Sequence, residues 1–265
     1  MTEPLPLPIR VLVEGASTVT WTSYMGGPRT DMAFPRAAEA AMYRAGRPAE
    51  VRVNALASQP VRLAIRGWEA EIGTWSPDVV VLMYGHFESI HYLLPRWLER
   101  HAQSMRGRPG RVREAYRKGV LKPSWRRLAT LQQRLDRELP STAFAHRPRR
   151  AAADLQRLVE RALTVASPLV LVMEIPPPGR RFLEWFPGIG ERIEVMNRAL
   201  ADVVTRIDRP DVRTFPVTEV IGEIFERGED ATPDGGHFTP EAHRLVGEAL
   251  AREILDWAAT QEHLK

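Results

Sequence analysis

The sequence contains no cysteine and no long apolar run. The absence of cysteine from its 265 residues excludes disulfide scaffolds, thiolate zinc sites and cysteine nucleophiles. The longest mostly apolar stretch, Ala162–Met173, is interrupted by Ser167 and Pro168, whereas a membrane-spanning helix needs about 18 apolar residues. The first residues, MTEPLPLPIR, lack the basic leader and apolar segment of a secretory signal peptide. We therefore expect a cytoplasmic protein without a membrane span.

Hydrophobic residues make up 44% of the chain and charged residues 26%, a composition that supports a buried core. Short β-rich segments alternate with stretches of helical periodicity, which is typical of an α/β fold with a doubly wound sheet. Two segments are continuous apolar runs, as expected for parallel strands buried on both faces. The predicted strands are Ile9–Val13, Val51–Asn54, Val79–Tyr84, Leu169–Ile175 and Val212–Pro216. The predicted helices are Ala37–Ala45, Val61–Ile72, Ala151–Val165, Glu191–Ile207 and a last helix that begins at Pro240 with Thr239 as its cap.

Charge is distributed unevenly along the chain. Residues 96–150 carry 16 basic and 4 acidic side chains, and the rest carries 21 basic and 29 acidic ones, although the whole chain has a net charge of +4. We therefore expect one α/β/α domain over residues 1–265 with a basic helical insertion at 96–150, which Gly107–Arg111 and Pro123 divide. The insertion is either a solvated surface or a lid or docking element for an acidic substrate or acyl-carrier protein. It contains no recognisable nucleic-acid-binding module, so nucleic acid is not an expected partner.

Two segments carry side chains suited to nucleophilic catalysis. Ser17 follows the first predicted strand on a glycine-containing turn, where open α/β sheets place their ligands, although a turn or capping serine has the same pattern. Asp234 and His237 stand three residues apart in a glycine-rich loop before the last helix. Such a loop can present an imidazole base together with the carboxylate that orients it, or can be a plain turn before a capped helix.

Taken together, these blocks resemble the SGNH, or GDSL-like, hydrolase family. The resemblance covers most of the chain outside the basic insertion, and the late block DGGHFTPEAHRL is the best match. It implies a three-layer α/β/α domain with a five-stranded parallel, flavodoxin-like sheet and no cofactor or metal. It also implies that Ser17 is the nucleophile, His237 the base and Asp234 the residue that orients it.

The chain departs from the family pattern at the oxyanion-binding blocks. Ser58 stands where the second block has glycine, and Phe87, in the block that begins at Gly85, stands where the third has asparagine. Phenylalanine donates no hydrogen bond, and loss of one oxyanion donor typically lowers turnover by about 10²–10³. Three explanations are open: another group such as His86 replaces the donor, the enzyme is slow, or ester hydrolysis has been lost.

Further side chains near these blocks could contribute to the site. His86, Glu88 and His91 form a small cluster after the third strand, which lines the pocket or caps a helix; as a metal site it lacks further ligands. The segment Pro176–Gly179 is expected to form a rigid rim, and Phe182, Trp185 and Phe186 form an aromatic cluster for an acyl or aryl group or for the core.

The predicted activity is hydrolysis of a small-molecule acyl ester through an acyl-Ser17 intermediate. Ser58, Gly85, His86, Phe87 and Glu88 are predicted to form the oxyanion and substrate-binding region. An acyltransferase or thioesterase acting on a carrier-protein or coenzyme A thioester is an alternative, with the basic insertion as its docking face. A non-catalytic binding protein is a second alternative, favoured by Phe87 at the oxyanion position.

Overall fold

The computed structural model describes residues 7–23, 25, 28–104, 110–139, 146–165 and 167–264. Its centre is a five-stranded sheet in which every pairing is parallel and the strand order is β2-β1-β3-β4-β5. The strands are β1 (Ile9–Gly15), β2 (Ala49–Ala55), β3 (Val79–Met83), β4 (Leu169–Met173) and β5 (Val212–Phe215). This order is that of the flavodoxin-like doubly wound fold, and the predicted fold class is confirmed.

Thirteen α-helices lie among the described residues. Those before β4 are α1 (Ser17–Thr20), α2 (Phe34–Arg44), α3 (Val61–Trp68), α4 (His86–Ile90), α5 (Arg96–Ser104), α6 (Arg111–Tyr116), α7 (Lys122–Glu138) and α8 (His146–Val165). Those after it are α9 (Arg180–Trp185), α10 (Ile189–Ile207), α11 (Val217–Val220), α12 (Gly222–Glu226) and α13 (Pro240–Ala258). Thr239 caps α13 by accepting the Ala242 N–H at 3.2 Å, as the sequence predicts. No helix in the described ranges is both long and apolar enough to cross a membrane.

Each face of the sheet is covered by its own hydrophobic core. Along β3, Val79 and Val81 face the core shared with α2 and α13, whereas Val80 and Leu82 face the core shared with α3, α8 and α10. All four of these valine and leucine side chains are at most 1% exposed. Because both faces of the sheet are covered, no position on β3 faces water, and the strand is therefore an unbroken apolar run.

The basic segment is helical at every described position except Gly110 and Leu139. α6 runs through a π-helical turn, Arg117–Leu121, directly into α7, so Pro123 stands in the first turn of α7 and does not divide two helices. Most of Gly107–Arg111, the other predicted break, lies outside the described residues. The boundary drawn at Arg150 falls inside α8, which crosses over the sheet from the insertion to β4.

Candidate active site

Ser17 lies at the carboxyl edge of the sheet. β1 delivers it next to β3, at the position where the strand order reverses, which is where open α/β sheets bind ligands. Gly15 makes this turn possible, because a Cβ there would stand 2.7 Å from the Met83 carbonyl oxygen and 2.5 Å from Val19 Cγ2. Ser17 is the first residue of α1 and projects from the edge toward the loop before α13.

The loop before α13 brings His237 and Asp234 to this serine. His237 Nε2 lies 2.9 Å from Ser17 Oγ, and His237 Nδ1 lies 2.8 Å from Asp234 Oδ2. The side chains of His237 and Asp234 are 24% and 22% exposed, so the pair remains accessible to a small molecule. This arrangement lets Nδ1–H donate to the carboxylate while Nε2 accepts the serine proton, which is the geometry of a nucleophile, base and orienting acid.

Hydrogen bonds keep Asp234 ionised. Its Oδ1 accepts the backbone N–H groups of Gly236 at 3.1 Å and His237 at 2.9 Å, in addition to the bond between Oδ2 and the imidazole. Burial raises the pKa of Asp234, but the hydrogen bonds from His237 and Gly236 outweigh burial and lower the pKa to about 2. A carboxylate with that pKa carries its charge throughout the neutral range and can orient an imidazolium.

The two glycines of this loop are required by packing. Gly235 has φ +111°, and a Cβ there would overlap the ring of Phe182; at Gly236 a Cβ would overlap the ring of His86. The proline-rich segment braces the same loop, because Gly179 N–H donates to the Gly235 carbonyl at 3.3 Å. Thr232 Oγ1 also donates to the Pro177 carbonyl at 3.0 Å. The loop is thereby held close to the segment between β4 and α9.

The predicted aromatic cluster is split among different roles. Phe182 packs against the Gly235 loop and lies 5.8 Å from the His86 ring, centre to centre. Phe186 is buried in the core beneath α10, whereas Trp185 is 43% exposed with the Arg181 guanidinium 4.6 Å from its ring centre. Phe182 is thus the member of the cluster in contact with the loop that carries the acid and base.

The oxyanion-binding blocks offer backbone donors. Ser58 has φ +54°, the left-handed conformation that favours glycine, so it reproduces the backbone of a glycine at some conformational cost. Within the described part of the chain, no acceptor is found for the backbone N–H of Ser17 or of Ser58. Phe87 is buried and packs on His91, with ring centres 4.8 Å apart, and contributes no donor. Gly85 has φ +105° and packs against Ile175 and Met196, which would collide with a Cβ.

His86 lies under the loop at 234–237, which carries Asp234 and His237 and is called the acid–base loop below. Its Nδ1 is 3.2 Å from Thr18 Oγ1, and burial together with the nearby His237 lowers the pKa of His86 to about 4, so the ring is neutral. Its Nε2 has no partner and no accessible surface among the described residues. In this conformation the nitrogen therefore does not open toward a substrate, and whether His86 replaces the family's asparagine stays a prediction.

Glu88 and His91 lie away from Ser17, in a different environment. Glu88 Oε1 accepts the Val61 N–H at 3.2 Å at the start of α3, and burial raises the pKa of Glu88 to about 7. Burial and the nearby Arg147 lower the pKa of His91 to about 3. Arg147, paired with Glu99 at 3.5 Å, also donates to the carbonyl groups of Tyr92 and Leu94 and so ties the insertion to the segment after α4. Across the described ranges, no three histidine or acidic side chains are grouped as metal ligands would be.

Three side chains at the site have no role predicted from the sequence, although His243 lies within the block DGGHFTPEAHRL. The Trp21 ring stacks on the His237 ring, Ser23 Oγ donates to the His237 carbonyl, and buried His243 contacts the Trp21 carbonyl with Nε2 at 3.0 Å. A tryptophan four residues after the serine and a histidine within α13 have no pattern that distinguishes them from core residues. Their roles depend on contacts across more than 200 positions of the chain.

Comparison with solved structures identifies the fold. A carbohydrate acetylesterase from Sinorhizobium meliloti superposes with a TM-score of 0.59 at 16% identity, covering 94% of this chain and 99% of that chain. A lipase/acylhydrolase from Enterococcus faecalis gives 0.58 at 12% identity, covering 94% and 96%. An acetylxylan esterase from Geobacillus stearothermophilus, in a catalytic mutant, gives 0.58 at 12% identity, covering 98% and 99%. No protein-family model and no curated protein sequence matches the chain.

The chain therefore has the fold of the SGNH, or GDSL-like, hydrolases, as the sequence predicts. A lipolytic protein of the G-D-S-L family from Desulfitobacterium hafniense is also similar, with a TM-score of 0.52 at 14% identity over 92% of this chain and 98% of that one. At these identities the likeness defines the fold, and the activity has to be argued from the side chains of the site.

Proposed function

We propose that this protein is a serine esterase of the SGNH type that hydrolyses small acyl esters through an acyl-Ser17 intermediate. The observation that carries the proposal is the continuous hydrogen-bonded path from Ser17 Oγ through the His237 ring to Asp234, with distances of 2.9 and 2.8 Å. The carbohydrate acetylesterase and acetylxylan esterase of the same fold make acetyl esters the first substrates to test.

In the proposed reaction, His237 Nε2 takes the proton of Ser17 as Oγ bonds to the ester carbonyl carbon. The carbonyl oxygen becomes an oxyanion, and His237 then gives its proton to the departing alcohol as the carbon–oxygen bond breaks. A water molecule, deprotonated by His237, attacks the acyl-Ser17 ester. The acid leaves, and the proton returns to Ser17.

The backbone N–H groups of Ser17 and Ser58 are the proposed donors to the oxyanion. Ser58 keeps the left-handed backbone that presents an N–H from a glycine position, so replacement of that glycine by serine preserves this donor. Phe87 leaves the site one side-chain donor short of the family's set, which costs about 3–4 kcal/mol of transition-state stabilisation. We therefore expect a slow esterase.

The test is covalent labelling of the serine. Wild type and Ser17→Ala are exposed to a small fluorophosphonate and measured as intact proteins by mass spectrometry, alongside hydrolysis of p-nitrophenyl acetate. We expect one adduct on wild type, none on Ser17→Ala, and loss of hydrolysis in the variant with an unchanged circular dichroism spectrum. Hydrolysis that survives in folded Ser17→Ala contradicts the proposal. Absence of both adduct and hydrolysis in wild type favours the non-catalytic binding protein instead.

The basic helices support a second, narrower proposal, that an acidic substrate or acyl-carrier protein docks on the insertion. Lys122, Arg126, Arg127, Arg134 and Arg137 are all exposed on α7, whose opposite side is fixed to the domain by Trp125, Gln132 and Asp136. Reversing Arg126 and Arg127 to Glu should raise KM for a carrier-bound thioester and leave kcat for p-nitrophenyl acetate unchanged. An unchanged KM for the thioester contradicts this docking role.

A further inference from the structure

Trp21 places an aromatic face against the base of the site. Its indole and the His237 imidazole have ring centres 5.4 Å apart and planes inclined by 27°. The backbone N–H of Trp21 donates to the Ser17 carbonyl at 2.7 Å, because Trp21 ends the short helix that Ser17 begins. One turn of helix thus carries the nucleophile at one end and the ring that covers the base at the other.

The segment that carries Trp21 is anchored to the loop that carries His237. Ser23 Oγ donates to the His237 carbonyl, and Ser23 N–H donates to the Phe238 carbonyl at 2.9 Å. His243 Nε2 donates to the Trp21 carbonyl at 3.0 Å, while His243 Nδ1 accepts the Phe34 N–H at 3.1 Å. Because these hydrogen bonds fix the backbone that carries Trp21 to the backbone that carries His237, the indole stays stacked on the imidazole.

The stack distinguishes the two charge states of the base. When His237 takes the serine proton it becomes an imidazolium, and a cation within about 6 Å of an indole ring centre is attracted by the electron-rich face. The neutral imidazole gains less from that face, so the contact strengthens as the transition state forms.

Three other titratable groups face His237 from the surrounding elements. Asp234, on the same loop, accepts from Nδ1 and is ionised. His86 on α4 and His243 on α13 each have a pKa lowered by burial to about 4, so both are neutral at pH 7. The indole is thus the group stacked on the imidazole, and Asp234 is the charged group hydrogen-bonded to it.

We propose that Trp21 is a positioning residue that stabilises the protonated form of His237 by stacking on its ring. Its effect on turnover rests on the proposed esterase function, whereas its effect on the protonation of His237 does not. Loss of a cation–π contact of this kind corresponds to about a 5- to 30-fold change in an equilibrium constant.

The direct test is a titration of the histidine side chains by NMR. Protein with ¹⁵N-labelled histidine is titrated as wild type, Trp21→Leu and Trp21→Phe, and the His237 signals are assigned from their loss in His237→Asn. We expect the midpoint for protonation of His237 to fall by about 0.7–1.5 pH units in Trp21→Leu and by less in Trp21→Phe. An unchanged or higher midpoint in folded Trp21→Leu overturns the proposal.

Trp75→Leu is the matched control. Trp75 also faces a cation, with the Arg52 guanidinium 4.2 Å from its ring centre, but it precedes β3 and so lies near the opposite edge of the sheet. Its loss removes a partly buried tryptophan without touching the site, so the His237 midpoint should equal that of wild type. A shift of the same size in Trp75→Leu would assign the effect to general loosening of the fold and overturn the proposal.

Kinetics separate this proposal from the esterase function. In Trp21→Leu we expect kcat for p-nitrophenyl acetate to fall about 5- to 30-fold and the acid limb of the pH–rate profile to move to lower pH, with Trp21→Phe recovering most of both. A shifted NMR midpoint in a protein that hydrolyses no ester refutes the esterase function alone. Ser17-dependent hydrolysis with an unmoved midpoint refutes the role of Trp21 alone.

Discussion

Asp234→Asn probes the site most sharply, because it changes one atom of the orienting group. In the wild type, Oδ1 accepts two backbone N–H groups and Oδ2 accepts the His237 Nδ1–H. The amide of asparagine can keep the two bonds to Oδ1, but it then points its NH₂ group at Nδ1. Two donors cannot face each other, so the imidazole moves its proton to Nε2, toward Ser17, and can no longer accept the serine proton.

The expected loss is large for turnover and small for stability. In serine proteases with this arrangement the corresponding change lowers kcat about 10⁴-fold, or about 5.5 kcal/mol. The lowering of the Asp234 pKa from its usual 3.8 to about 2 corresponds to at most about 2–3 kcal/mol of folding free energy, which is present above pH 3.8 and lost as the pH falls toward 2. Since the bonds to Oδ1 survive in Asp234→Asn, we expect it to lose less than that at pH 7.

The assay is kcat for p-nitrophenyl acetate together with urea unfolding at pH 7, and Asp230→Asn is the matched control. Asp230 shapes the same loop by accepting the N–H groups of Thr232 at 2.8 Å and Arg180 at 3.0 Å, but within the described ranges it forms no hydrogen bond or ion pair with His237. We expect Asp230→Asn to retain more than a tenth of wild-type kcat. The reasoning is refuted if Asp234→Asn does the same, or if both variants lose kcat equally.

Three further predictions concern residues around the triad. Ser58→Gly should keep kcat within about threefold and leave stability unchanged or raised by up to about 1 kcal/mol, because only its backbone N–H is used and glycine adopts φ +54° without strain. Gly236→Ala should lower the free energy of unfolding in urea by about 1–3 kcal/mol, because its Cβ would overlap the ring of His86. Gly119→Ala is the control and should not lower it, because there is open space around Gly119. His243→Asn should lower the free energy of unfolding by less at pH 4 than at pH 6.5, and the difference should be up to about 3 kcal/mol. Burial lowers the pKa of His243 from 6.5 to about 4, so between these pH values the unfolded chain binds a proton that the folded chain does not, and the wild type loses stability as the pH falls.

Each of these predictions has an outcome that contradicts it. A loss of kcat beyond tenfold in Ser58→Gly would mean that the hydroxyl group takes part. Equal costs for Gly236→Ala and Gly119→Ala would mean that the His86 ring does not limit the space at Gly236. A wild-type–variant difference that stays constant between pH 7 and 4 would mean that His243 titrates as it does in the unfolded chain.

The strands could be predicted because their signals are local: β3 and β4 are apolar at every position since both faces of the sheet are covered. Ser17, Asp234 and His237 are joined by the resemblance to the SGNH family, and the structure brings their side chains within hydrogen-bonding distance, whereas their catalytic roles stay a prediction. The helical periodicity of α13 and its Thr239 cap are equally local.

The surroundings of the triad could not be predicted, because they depend on contacts between distant segments. Trp21 stands in no motif, and the block that contains His243 predicts no role for it, until the fold stacks Trp21 on His237 and places His243 against the Trp21 carbonyl. The glycines of the acid–base loop suggest a flexible turn, whereas in the structure Gly235 and Gly236 make room for the rings of Phe182 and His86.

The proposed esterase function sets an expectation for its rate. The absence of a side-chain donor at Phe87 costs about 10²–10³ in turnover, whereas a triad with its base oriented contributes about 10⁴ or more. The proposed backbone donors, the N–H groups of Ser17 and Ser58, are held by the turn after β1 and by the left-handed conformation of Ser58, so neither depends on the missing asparagine. A chain with these parts should hydrolyse activated esters measurably but more slowly than a hydrolase with three oxyanion donors, and Ser17→Ala should remove that activity.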